Sequence, residues 1–315
     1  MPVDFPLDRA QRFGANAAPR QVSANLTNTS LQAEPNVAFD FVRTLAAELS
    51  RGNVDLPSFP EIALRVRKVL SDAKSSVDQV VRVVGSEPAL AARLLRIANS
   101  ASLNRSGRAV NDLRTAINRI GYNMVRSASM SFSMTQMRKS NKLKGLEHHL
   151  TDLWRSSTSV AALAYVLART CTRVNPDEAM LTGMMHGIGK LYVLTRAIDH
   201  PGLFANEAAL NEIIGDWHAS IGKAILENWK FSEAMAQAVG EQANFDRSEE
   251  GPADLSDVIA IAILMASHGM QVPGHDVALH ELGAARRLGL DSEKTQGVMR
   301  ESAAEVNALS VALGS

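Results

Sequence analysis

The chain has 315 residues, of which 46% are hydrophobic and 21% are charged, and its formal net charge is zero. These values are typical of a globular protein with a sizeable core, and no apolar run reaches the roughly 18 residues needed to span a bilayer. Cys171 is the single cysteine, which excludes an intramolecular disulfide and a zinc ribbon. Because the N-terminus also lacks the apolar core of a secretory signal, we expect a cytoplasmic protein that does not enter membranes.

Helical periodicity begins at Asn36, after a segment of different composition. Residues 1–35 are rich in Ala, Asn, Pro, Gln, Ser and Thr and show no period, so we expect a flexible, disordered tail. Further along, Ser75 stands three residues before Asp78, which is the spacing of a capping box at a helix start. Pro88 is expected at the first turn of the next helix.

Helical signals continue through the second half of the chain. Residues 146–170 are predicted to form one long, largely buried helix, and Asn175 is expected to cap the helix that follows. No segment shows sustained strand alternation between hairpin turns, so the predicted fold class is all-α, a globular multi-helix array. We expect one domain with a leading helix over residues 36–250 and further helices over residues 251–315.

Charge is distributed unevenly along the chain. Residues 93–144 contain eleven Lys or Arg and one acid, whereas residues 175–315 contain nine Lys or Arg and twenty acids. Either the two faces are merely solvated and attract each other, or the basic segment binds an anionic nucleotide or nucleic acid. Arginine suits bidentate phosphate contacts, but aromatic residues for base stacking are scarce, which makes nucleic acid the less favoured partner. The candidate anion-binding residues are Arg93, Arg96, Arg105, Arg108, Arg114, Arg119 and Arg126.

Methionines recur at helical spacing in the same segment. Met130, Met134 and Met137 lie at positions i, i+4 and i+7. Two interpretations are open, because methionine side chains serve both as adaptable contact surfaces and as ordinary core residues.

The segment LTGMMHGIGK, residues 181–190, allows three interpretations. A phosphate-binding Walker A loop is excluded, because five residues separate Gly183 from Gly189 and no Ser or Thr follows Lys190. A catalytic metal centre needs at least three converging ligands, and His186 has no acid beside it. The third interpretation is structural: Gly187 and Gly189 allow two helical segments to approach closely, and His186 is a hydrogen-bonded core residue.

Five sequence pieces occur in the order found in the HDOD domain. The first piece, residues 56–104, contains Leu-Pro-x-x-Pro at 56–60, Glu-Pro-Ala-Leu at 87–90 and Ala-Asn-Ser at 98–100. The others are residues 113–129 with the Ile-Gly turn at 120–121, residues 153–168, LTGMMHGIGKL at 181–191, and residues 216–242. Over about residues 56–245 the chain resembles that family. The resemblance implies a helical relative of the HD phosphohydrolases that lacks their complete metal site.

The resemblance also indicates which site residues have changed. His186 matches the histidine of the HD pair, but Gly187 stands where the aspartate is expected. Ser156 or Ser157 occupies the region of the first metal histidine, and Glu241 and Gln242 stand in the region of a later histidine pair. The remaining members of this degenerate site are Lys190 and, by weaker resemblance, His218. Two imidazoles without carboxylates would not hold a hard metal ion, so we expect no catalytic residue, metal or cofactor.

The resemblance implies a non-catalytic role in bacterial signal transduction. The expected partner is a signalling protein, namely a kinase, a response regulator, or a GGDEF or EAL protein, bound through protein–protein contacts. Two alternatives remain: a regulator that binds a nucleotide or nucleic acid through segment 93–144, and, less favoured, a metal-dependent phosphohydrolase.

Overall fold

The computed structural model describes residues 34–51, 60–72, 74–100, 108–139, 143–245, 247, 251–268, 279–300 and 303. Within these ranges the chain forms α-helices, a 3-10 turn at Leu279–Glu281 and no strand, which confirms the all-α prediction. Residues 292–300 are also helical. Apart from the start of the first helix, the predicted tail lies outside the described residues. The helices are α1 (Glu34–Ser50), α2 (Glu61–Ser71), α3 (Val77–Gly85), α4 (Pro88–Ala98), α5 (Leu113–Arg138), α6 (Glu147–Cys171), α7 (Pro176–Met185), α8 (Ile188–Ala197), α9 (Pro201–Ala205), α10 (Glu207–Asn228), α11 (Glu233–Gly240), α12 (Leu255–His268) and α13 (Gly283–Arg287).

Local capping signals place most of the helix starts. Pro88 is the first residue of α4, and the Asn175 side chain accepts a hydrogen bond from the backbone N–H of Asp177 at 2.9 Å, as predicted. The capping box before α3 is shifted by one residue from its predicted position. Ser76 and Gln79 form it, and the side chain of Asp78, the predicted partner, pairs with Arg114 on α5.

The helices pack around α5 and α6. Helix α5 contacts α2, α3 and α4 on one side and α6 and α7 on the other, and Gly121 (φ 76°) turns its direction near the middle. Helix α6 packs against α7 and α12, while α10 packs against α8 and α11. Among the described helices, none combines the length and the apolarity that a membrane crossing requires.

The leading helix α1 is tied to the rest of the array by polar contacts. The Glu48 carboxylate accepts a hydrogen bond from the Tyr192 hydroxyl and lies 3.2 Å from the Arg196 guanidinium, both on α8. Helix α1 also packs against α9 and α10. These contacts hold the α1 side chains against the segment that follows the LTGMMHGIGK sequence.

A buried ion network holds the elements after α11 together. Asp257 is 1% exposed and accepts hydrogen bonds from Arg287 at 2.6 and 2.9 Å, while Arg247 pairs with Asp254 at 2.7 Å. Helix α12, which carries Asp257, packs on α6, α7 and α11. The domain limits predicted from sequence, 36–250 and 251–315, stay a prediction.

Candidate functional site

The segment LTGMMHGIGK forms the junction between two buried helices. Helix α7 ends at Met185, His186 and Gly187 link it to the next helix, and α8 begins at Ile188. Every residue from 181 to 189 is buried, and Lys190 is half-buried. The junction therefore lies inside the helical array, where its backbone and side chains contact α6 and α10.

Two glycines of this segment are required by close backbone approach. A Cβ atom at Gly183 would lie 2.7 Å from the Cα of Ala161 on α6. A Cβ atom at Gly189 would overlap the carbonyl of His218 and lie 2.7 Å from the backbone nitrogen of Gly222, both on α10. Backbone atoms cannot move aside as a flexible side chain can. The structural interpretation of this motif is therefore confirmed for Gly189, and Gly183 has the same role on the opposite helix.

His186 is buried and neutral. It is 8% exposed, and its Nδ1 atom lies 2.7 Å from the carbonyl oxygen of Gly183, so this ring nitrogen must carry the proton that is donated. The pKa of His186 is lowered to about 4, mainly by burial and to a smaller extent by repulsion from His218 and Lys190. The hydrogen bond to Gly183 acts in the opposite direction but does not compensate for burial.

The groups that face His186 are basic. The His218 ring is half-buried on α10, its Nδ1 donates to the carbonyl of Ile214 at 2.7 Å, and burial lowers its pKa. Lys190 on α8 lies close enough to lower the pKa of both histidines. The cluster therefore consists of nitrogen groups, and its electrostatics favour neutral imidazoles.

The side chains beside Gly187 come from the neighbouring helix α6. A Cβ atom at Gly187 would overlap the Cδ1 atom of Leu153, the end of a flexible side chain, and lie 3.6 Å from the Oγ of Ser157. Of the two serines indicated by the resemblance, Ser156 is half-buried, and Ser157 is the buried one next to Gly187. Leu153, which the resemblance did not single out, packs against Gly187, so a larger residue there would require this leucine to move.

The side chains of residues 241 and 242 contact different parts of the structure. The Glu241 side chain lies 3.3 Å from Arg247 and accepts a hydrogen bond from Gln237 at 3.2 Å. The neighbouring Gln242 is 4% exposed and donates to the backbone carbonyl of His186 at 3.3 Å. Gln242, rather than Glu241, therefore contacts the junction.

The donor set does not fit a catalytic metal centre. No group of three or more His, Cys, Asp or Glu side chains with metal-binding geometry occurs among the described residues. His186 and His218 offer imidazoles only, while hydrolytic sites built on hard metal ions require carboxylates. The Nδ1 atoms of both rings already contact backbone carbonyls, which leaves one ring nitrogen on each.

The seven candidate arginines do not share one environment. Arg93 is 6% exposed and its guanidinium lies 5.4 Å from the centre of the Phe132 ring, so its charge is buried, and an anion-binding role for it stays a prediction. Burial lowers the pKa of Arg93 to about 10. Arg114 pairs with Asp78, and Arg119 donates to the carbonyl of Arg108 at 3.2 Å.

The other three candidates lie in different places. Arg96 is exposed on α4, and Arg105 lies outside the described residues. Arg126 is half-buried on α5 and reaches a pocket between α2, α7 and the end of α10.

The methionine stripe belongs mainly to the core. Met130 and Met137 are 3% and 1% exposed, and Met134 is partly buried. The core interpretation of the stripe therefore holds, and the contact-surface interpretation is wrong for Met130 and Met137.

The comparisons with known proteins agree with this geometry. A sequence profile of the HDOD domain matches residues 56–245. A provisionally named metal-dependent phosphohydrolase from Shewanella amazonensis SB2B is 25% identical, with a TM-score of 0.65 over 88% of this chain and 99% of that chain. No curated protein matches the chain.

Two further solved structures share the fold at lower identity. An HDOD domain protein with unknown function from Geobacter sulfurreducens is 20% identical, with a TM-score of 0.60 over 90% of this chain and 98% of that chain. A provisionally named signal transduction protein from Marinobacter aquaeolei VT8 is 21% identical, with a TM-score of 0.58 over 91% of this chain and 67% of that chain.

Proposed function

Because the chain belongs to the HDOD family, we propose that it is a non-catalytic regulatory protein of bacterial signal transduction that acts through protein–protein contacts. Its partner is a signalling protein: a kinase, a response regulator, or a GGDEF or EAL protein. The observation that carries the proposal is the α7–α8 junction, where Gly187 replaces the HD aspartate and Leu153 occupies the adjoining space.

The chemistry of the junction supports a structural rather than a hydrolytic role. An HD-type hydrolase activates water on metal ions, which requires carboxylates that hold the metals and balance their charge. Here the facing groups are His186, His218 and Lys190, and burial keeps the pKa of both histidines low. Meanwhile Gly183 brings α7 into backbone contact with α6, and Gly189 brings α8 into backbone contact with α10. The motif thus serves helix packing, for which the aspartate is not needed.

The competing function is metal-dependent hydrolysis, the class given in the provisional name of the Shewanella protein. The test is the metal content of the full chain, purified without chelators or a histidine tag, together with phosphatase and phosphodiesterase assays in added Mn²⁺, Fe²⁺ or Zn²⁺. We expect no bound metal and no hydrolysis. Near-stoichiometric metal that is lost with hydrolysis in His186→Asn and His218→Asn would overturn the non-catalytic proposal.

A second experiment tests the protein-contact half of the proposal. The full chain is used to capture proteins from extracts of its own cells, and each captured signalling protein is then used to recover the chain. We expect reciprocal recovery of at least one kinase, response regulator, GGDEF or EAL protein. Binding of DNA or RNA with a steep dependence on salt, without such a protein, would favour the nucleic-acid alternative instead.

A further inference from the structure

A small basic pocket lies near the N-terminal end of α7, whereas the junction with α8 is at the C-terminal end. It has a volume of about 240 Å³ and is formed by α2, α5, α7 and the turn after α10. Three cationic residues line it, Arg67, Arg126 and Lys230, against one acid, Glu178. An adjoining cavity of about 330 Å³ shares Arg67 and Lys230 and adds two further cations, Arg65 and Lys68.

Contacts with neighbouring groups orient the two arginines. Arg126 is half-buried and donates to the backbone carbonyl of Leu70 and, at 3.0 Å, to the side-chain oxygen of Asn123. The Arg67 guanidinium lies 4.9 Å from the ring centre of Trp229. These contacts orient the guanidinium groups without neutralising the charge of Arg126, and burial lowers its pKa.

The one acid in the pocket is held by another lining residue. The Glu178 carboxylate accepts a hydrogen bond from the Ser232 hydroxyl at 2.7 Å, and Ser232 is the residue that caps α11. Because three cationic residues line the pocket against this single carboxylate, the lining has an excess of positive charge.

Lys230 adopts a backbone conformation that disfavours lysine. Its φ is +58°, and among the described residues other than glycine it alone has a positive φ. The backbone N–H of Lys230 bonds to the carbonyl of Glu227, and that of Phe231 to the carbonyl of Leu226, each at 3.0 Å. This is the Schellman pattern, in which glycine usually occupies the left-handed position because it has no Cβ. Lys230 therefore adds a cationic residue to the pocket lining at a strained backbone position. Backbone strain of this kind clusters at functional sites.

We propose that this pocket binds a phosphate group, free or carried by a small molecule, through Arg67, Arg126 and Lys230. Guanidinium groups match the geometry of phosphate oxygens, and the lysine adds a point charge. The volume is below the roughly 300–1,000 Å³ of pockets for drug-sized ligands, which suits a compact oxyanion. The adjoining cavity provides room for whatever carries the phosphate. This site is independent of the α7–α8 junction, so its test does not depend on the proposed regulatory function.

The test uses Trp229 as a probe inside the pocket. The chain has three tryptophans, so the indole N–H signals of the full ¹⁵N-labelled protein can be assigned with Trp→Phe variants. Inorganic phosphate is added at constant ionic strength, with chloride as the balancing salt. We expect a saturable shift of the Trp229 signal with phosphate and none with chloride alone. Absence of a saturable shift would overturn the proposal.

Two substitutions separate binding from folding. Lys230→Gly removes a cation and relieves the positive φ, so we expect phosphate affinity to fall about tenfold, as for loss of one charge-assisted hydrogen bond, while Tm stays the same or rises. Arg126→Gln is expected to weaken binding to a similar extent. Arg114→Gln is the matched control, because it removes the same charge from an exposed arginine that pairs with Asp78 outside the pocket. Equal affinity in wild type, Lys230→Gly and Arg126→Gln would assign the shift to another site and refute the proposal.

A parallel titration with glycerol phosphate identifies the source of the anion. Tighter binding of the ester than of inorganic phosphate would mean that the adjoining cavity contributes and that the ligand is a phosphorylated small molecule. Equal or weaker binding of the ester would identify free phosphate as the ligand. Both outcomes support the phosphate site, and failure of both anions to bind would refute it.

Discussion

The buried imidazole of His186 makes the stability of the protein depend on pH. Its pKa is about 4 in the folded protein, against an ordinary value of 6.5. Below pH 6.5 the unfolded chain therefore binds a proton that the folded chain does not take up until pH approaches 4. The free energy of unfolding contributed by this group is fully present above pH 6.5 and is lost as pH falls toward 4.

The size of this effect follows from the two pKa values. The full difference between 6.5 and about 4 corresponds to about 3 kcal/mol, of which about 2 kcal/mol is already lost at about pH 5. Since whole domains are stable by only about 5–15 kcal/mol, this loss is easily measured.

Urea unfolding of the wild type and of His186→Asn, at about pH 7.5 and about pH 5, isolates this contribution. The asparagine amide keeps a donor for the carbonyl of Gly183 but does not titrate. His218, whose pKa is also lowered by burial, remains in both proteins and contributes similarly to each. We expect the wild type to lose about 2 kcal/mol more than the variant on acidification. Parallel pH profiles would show that His186 does not titrate between the folded and unfolded states as argued.

Three further substitutions test the packing and charge arguments by urea unfolding. Gly189→Ala should lower the free energy of unfolding by about 3 kcal/mol because the added Cβ overlaps the backbone of α10. Gly215→Ala, at an open helical position, should not destabilise the protein, and equal effects of the two substitutions would contradict the close approach. Asp257→Asn should lower the free energy of unfolding by about 3 kcal/mol because it removes the buried carboxylate charge that pairs with Arg287, and a neutral result would show that the network is dispensable. Arg93→Met should leave the free energy of unfolding unchanged or raise it by about 1 kcal/mol, since one buried guanidinium nitrogen of Arg93 has no hydrogen-bond partner among the described residues. A large loss of stability would mean that neighbouring groups stabilise the charge of Arg93.

Features that depend on neighbouring residues in sequence could be predicted. Pro88 and Asn175 begin helices because each acts on the turn that directly follows it, and the long apolar helix of residues 147–171 follows from periodicity. The exception is informative: the box before α3 uses Ser76 instead of Ser75. Asp78 has the spacing of a capping box with Ser75, but its side chain pairs with Arg114, which lies 36 positions along the chain.

The candidate site was predicted only in part. The order of motifs located His186 and Gly187, and the residue physics of glycine indicated a close helix approach. The side chain that packs against Gly187 is Leu153 on another helix, and no spacing rule connects these two residues. In the same way Gln242, rather than its neighbour Glu241, contacts the junction, because the facing direction of each side chain is set by packing.

Sequence by itself determined the helical class, the family resemblance and the absence of an aspartate beside His186, because these depend on residue identity and short-range order. Tertiary structure alone decided the electrostatics. It buried Arg93 and the methionines, dispersed an arginine-rich segment that looked continuous, and brought Arg67, Arg126 and Lys230 from three distant segments to one pocket. Burial and long-range proximity set the charge state and the binding capacity of such groups, and neither can be read from spacing along the chain.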